Sequence, residues 1–164
     1  MTIVRLPFEL LITASWFSIV GIGLVLIALI AVGNAIVIIA VALLSALAIG
    51  VVLHMIEQSG RLTNLASAPS LPNDRQVEAW RSTIVRQGIL VLASAAVAVV
   101  VLSLGWNGFR FTPGVFFGAA LWLWLDARLL QVWEADHHAE VFRRVDWGFA
   151  WLRRSDGRYV MRRS

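Results

Sequence analysis

The chain has no cysteine, which excludes disulfides and thiolate chemistry. It also has no lysine: all 14 basic residues are arginine, a bias that reads as the composition of a GC-rich bacterial genome. From Leu10 to Ile56 there is no Asp, Glu, Lys or Arg, a 47-residue stretch without charge. No phosphate loop, dinucleotide fingerprint, nucleophile elbow or His-Glu-x-x-His motif occurs, so the familiar signatures of nucleotide, hydride, acyl-transfer and zinc-protease chemistry are missing.

What is there is apolar. Of 164 residues, 59% are hydrophobic and 15% charged, with a mean hydropathy of +0.78. A soluble domain of this size could not cover that much apolar side chain with polar groups, whereas lipid removes the need. The net charge of +4 and a pI near 11.2 do not point to nucleic acid, because the arginines flank apolar stretches, where they act as a topology signal. The amino-terminal segment has one basic residue, Arg5, and an apolar run far beyond the roughly 7–15 residues of a signal-peptide core, so it reads as a retained anchor.

The uncharged stretch would form a helix of roughly 70 Å, more than twice a hydrocarbon core of about 30 Å, and must fold back. Gly33-Asn34 is the expected turn. The expected fold class is all-α: an integral membrane four-helix bundle, one polytopic domain with spans near residues 10–31, 35–56, 87–105 and 113–133. Pro113 suits the first turn of the fourth span. The connection 57–86 contains Pro69 and Pro72; Asn73 and Gln76 have the form of a capping box, predicting a surface helix over 74–86. Beyond Trp133, an amphipathic cytoplasmic C-terminal helix is expected through Leu152.

With four spans, 13 of the 14 arginines fall on one side and Arg110 on the other. That asymmetry places both termini in the cytoplasm, in a bacterial inner membrane. Trp106, Phe109 and Phe111 then mark the outer boundary, and Trp80, Trp133, Trp147 and Trp151 the inner one. A three-span alternative would set the N-terminus opposite the central connection and leave the 47-residue uncharged run unexplained.

Three groups of residues stand out. Ala42, Ala46, Gly50, Gly114 and Gly118 recur at four-residue spacing, a small-residue pattern that serves helix packing within the chain or against another subunit. His54, Glu57, Arg86, Asp126 and Arg128 all approach the cytoplasmic boundary. Asp126, still inside an apolar segment, needs a cation, water or a neutral form; Asp126 with His54 is a proton or cation site in one reading, and an ion pair of Asp126 with Arg86 in the other. Phe142, Arg143, Arg144, Trp147, Trp151, Arg153 and Arg154 suit docking on anionic lipid or in a protein groove. Glu134, His137, His138 and Glu140 have partial metal-ligand spacing, but the further ligands of a di-metal bundle are not found in the other spans.

No catalytic residue, metal or cofactor is therefore expected. The expected function is a non-catalytic accessory or assembly subunit of a larger membrane complex. The alternative is a small homo-oligomeric transporter or channel for a proton, ion or small solute, and a distant one is a membrane metalloenzyme using Glu134, His137, His138 and Glu140. Expected partners are membrane lipids, other membrane subunits or further copies of the chain, and no nucleic acid.

Overall fold

The computed structural model describes residues 2–32, 34–66, 68, 70, 76–77, 79–103, 111–144 and 159–163. Four helices carry most of the chain: α1 (Leu6–Val32), α2 (Ala35–Ala66), α3 (Trp80–Ser103) and α4 (Thr112–His137). Of these, α1, α2 and α4 are long and apolar enough to cross a membrane. Their outward side chains agree: Ile30, Ile36 and Leu44 are 71–87% exposed, which only an apolar solvent tolerates on this scale.

The helix starts follow from local chemistry. Pro7 lies in the first turn of α1 and Pro113 in that of α4, where a missing N–H costs no hydrogen bond. Asn34 caps α2, its Oδ1 accepting from Val37 N at 3.4 Å. Ser15, Ser18, Ser45 and Ser94 donate to backbone carbonyls four residues earlier, so these hydroxyls need no partner on another helix.

Helix packing sets the bundle. The small residues of α4 meet those of α2: Gly114 faces Ala42 and Ser45, Gly118 faces Ala46 and Ile49, and Gly50 faces Leu121. The numbering rises together, so α2 and α4 run parallel. On α1, Leu6 and Leu10 share a core with Leu130 of α4, while Phe17 reaches Phe116 at a ring separation of 5.6 Å, so these two helices are antiparallel. Helix α3 packs along α1, where the Trp16 indole lies over Gly88 and donates to Ile84 O at 3.1 Å.

A four-stranded sheet closes one end, with strand order β2-β1-β3-β4. Its strands are β1 (Thr2–Arg5), β2 (Gln76–Val77), β3 (Ala139–Arg144) and β4 (Tyr159–Arg163). Pairing is parallel between β1 and β2 and antiparallel elsewhere. One face presents Val141 to the bundle, in a core with Leu6, Leu10, Leu65, Leu123, Ala127 and Leu130. The other face buries Ile3, Phe142 and Val160 together.

This sheet departs from an all-helical expectation. The C-terminal amphipathic helix is not formed where residues are described: α4 stops at His138, whose φ of 47° is left-handed, and 139–144 are strand. Residues 145–158 lie outside the described residues. The surface helix expected over 74–86 begins only at Trp80, because Gln76 and Val77 pair with Thr2 and Ile3. In both places pairing with residues distant in sequence overrides a helical pattern.

Candidate functional site

The most concentrated chemistry lies where the sheet meets the bundle. Glu9, in the first turn of α1, has a side chain only 3% exposed. Three donors converge on its Oε1: Arg86 Nη2 at 2.9 Å and Gln87 Nε2 at 2.5 Å, both from α3, and Arg143 Nη2 at 2.6 Å from β3. The helix N-terminus favours a carboxylate at this position. One carboxylate thus meets two guanidiniums, those of Arg86 and Arg143. Glu9 Oε2 and Arg143 Nε, both buried, have no hydrogen-bond partner among the described residues.

Beneath the cluster lies a cavity of about 320 Å³, lined by residues of all four helices and by Arg143. Glu9, Gln87 and Arg143 sit at its sheet end and Phe17, Val115 and Phe116 line the far end, while the lining hydroxyls of Thr13 and Ser94 donate to their own helices. Trp122 belongs to the same wall, and its Nε1 is buried without a partner among the described residues. Helix α2 packs on α4 and α3 on α1, so the cavity has α2 and α3 as its flanks.

A second polar contact joins α2 to α4. His54 Nδ1 lies 2.7 Å from Asp126 Oδ1, with side chains 18% and 1% exposed. Asp126 thus has an imidazole beside it, while Arg86 donates to Glu9. Arg128 is exposed, donates to Gln131 Oε1 at 3.3 Å and stacks over Trp124. Glu57 is half-buried at the last turns of the apolar part of α2. Of the five boundary residues, the structure joins His54 with Asp126, brings Arg86 to Glu9 and brings Arg128 to Gln131.

A third contact ties the sheet to α4. Buried Glu134 accepts from Val141 N at 2.7 Å through Oε1 and from Arg5 Nη2 at 3.0 Å through Oε2. The same turn is closed by His138 N donating to Glu134 O. His137 stacks on Trp133, and Glu140 faces Arg5 and Arg162 at 3.7 and 3.8 Å. The residues with metal-ligand spacing are thus spread over structural roles, and among the described residues no three His, Asp or Glu side chains gather as a metal site.

The small residues Ala42, Ala46, Gly50, Gly114 and Gly118 come together as one intrachain contact between α2 and α4. Of the docking group, the structure describes Phe142, Arg143 and Arg144. Phe142 is buried with Ile3 and Val160, Arg143 is drawn inward to Glu9, and Arg144 lies opposite Ile3 in the sheet. Trp147, Trp151, Arg153 and Arg154 lie outside the described residues.

Sequence reasoning missed Glu9, Gln87 and Trp122 and the burial of Arg143. The one local signal was a carboxylate placed immediately before a 47-residue uncharged run. Its partners are 77, 78 and 134 residues away, a spacing that no local pattern encodes. Comparison with protein-family models, with curated proteins and with solved structures finds no match to this chain, so its function is argued from this geometry alone.

Proposed function

We propose that the chain is a four-span protein of a bacterial inner membrane, with cytoplasmic termini, acting as a non-catalytic accessory subunit of a larger membrane complex. The observation that carries the reading is the sheet. It gathers the segment before α1, the segment between α2 and α3, and the segments after α4 onto one end of the bundle.

That pairing argues for an even number of crossings. If α4 crossed the membrane and α3 did not, β2 and β3 would emerge on opposite sides, yet both flank β1. The apolar part of α3, from Gly88 to Ser103, therefore serves as the fourth span. Among the described residues the sheet end carries Arg5, Arg81, Arg86, Arg128, Arg143 and Arg162, which supports a cytoplasmic orientation for it.

A platform assembled from four separate chain segments gives a small bundle a defined cytoplasmic surface, bordered by Arg5 and Arg162, both exposed. Such a basic, edge-bearing surface suits a protein partner by charge and by strand addition. A transporter reading would lean on His54–Asp126. That pair sits toward the same end as Glu9, and the serines deeper in the spans are bonded to their own helices.

Gentle solubilisation of native membranes, with capture through a carboxy-terminal tag, tests the reading. Other membrane polypeptides at fixed stoichiometry are expected. Recovery of this chain alone, as monomer or homo-oligomer, would count against it.

A further inference from the structure

The cavity beneath Glu9 has the anatomy of a site for an amphiphile, and its loose ends specify the head. Two buried donors, Arg143 Nε and Trp122 Nε1, lack acceptors among the described residues, and one buried acceptor, Glu9 Oε2, lacks a donor. Such groups are costly to bury unless a ligand or water completes them.

A ligand that closes this account carries acceptor oxygens for the two donors and at least one hydroxyl for Glu9. The rest of the cavity asks for hydrocarbon: Phe17, Ile49, Leu53, Phe116 and Leu123 form its walls. From Glu9 to Phe17 on α1 the shaft runs eight residues, or roughly 12 Å. That depth is comparable with one leaflet of a hydrocarbon core about 30 Å thick. The polar end lies at the sheet, where the headgroups of that leaflet would be, and the apolar end lies toward the bilayer middle. At about 320 Å³ the space lies within the range of roughly 300–1,000 Å³ for ligand pockets. It suits one acyl chain, with a second chain passing between α2 and α3 into the bilayer.

We propose that this cavity binds one glycerophospholipid with a hydroxyl-bearing headgroup from the cytoplasmic leaflet, its phosphate oxygens accepting from Arg143 and Trp122, a headgroup hydroxyl donating to Glu9, and one acyl chain filling the shaft. The proposal rests on the membrane reading and not on the accessory-subunit reading. It is tested on the purified chain, so failure to bind lipid and failure to capture partners are separate results.

The full chain is reconstituted in nanodiscs with equal amounts of phosphatidylglycerol and phosphatidylcholine, then released for native mass spectrometry. One retained phosphatidylglycerol per chain is expected, favoured over phosphatidylcholine by about tenfold, the scale of one charge-assisted contact. Arg143→Gln is a poor probe because it also unties β3 from α1. Ala119→Phe instead fills the shaft without touching Glu9, and it should lower retention about tenfold. Trp122→Phe keeps an aromatic side chain in the wall, removes the N–H donor and should lower retention severalfold. Equal retention of the two lipids, a retained lipid unaffected by both variants, or no retained lipid at all would overturn the proposal.

Discussion

At the residue scale, Glu9 is the side chain on which most depends. A buried carboxylate holding two guanidiniums is a weak source of net stability, yet removing it leaves two cations facing each other in a low-dielectric site. Glu9→Ala is therefore expected to destabilise the protein by about 3–5 kcal/mol, the usual cost of stranding a buried charge. Thermal unfolding in a mild detergent reads this out. Arg5→Ala is the contrast, because Arg5 is about half exposed and its pairs with Glu134 and Glu140 are partly screened. A change of similar size for both variants would show that the buried cluster is not special.

At the element scale, the contact between α2 and α4 is set by missing side chains. A Cβ on Gly118 would lie 2.8 Å from Ile49 Cβ and 3.2 Å from Ala46 O, so the helices would have to separate. Without a hydrophobic driving force between helices in lipid, this close approach supplies the dispersion contact that joins them. Gly118→Ala is expected to destabilise by about 1–3 kcal/mol through overpacking. Gly23→Ala is the matched control: nothing lies within 4 Å of a Cβ there, and the better helix propensity of alanine should leave stability unchanged or slightly raised. If Gly118→Ala melts with the native protein, the small-residue contact does not hold the pair.

The same scale shows how unevenly the elements could be read from the chain. Asn34 and Pro113 mark helix boundaries through rules that act within a few residues, and the expected starts of the second and fourth spans fall close to the observed ones. Helix α2, by contrast, runs on to Ala66, beyond the apolar stretch, because Leu65 is buried in the core beneath the sheet. The strands were not legible. Val141, Phe142 and their neighbours also fit a helical face, and only β1 and β4 on either side decide for a strand.

At the scale of the whole molecule, the parity of the crossings is the deciding property. The absence of native cysteine makes it directly measurable, since any introduced thiol is the only one. Asn34→Cys, Ser70→Cys and His138→Cys each place a thiol at an exposed position. An impermeant maleimide on intact spheroplasts should label Asn34→Cys alone, and the other two only in inverted vesicles. Labelling of Ser70→Cys and His138→Cys from opposite sides would mean that α3 does not cross. Labelling of both from outside would invert the proposed orientation.

Bulk chemistry carried in every short window determined the membrane character, the start of α2 beside Asn34 and the start of α4 beside Pro113. Those properties depend on composition and on neighbours a few residues apart, so one chain suffices to reveal them. The sheet, the convergence of Arg86, Gln87 and Arg143 on Glu9, and the cavity beneath them were decided only by tertiary structure. They join residues up to 134 positions apart, and each partner alone looks like an ordinary flanking charge or a polar helix end.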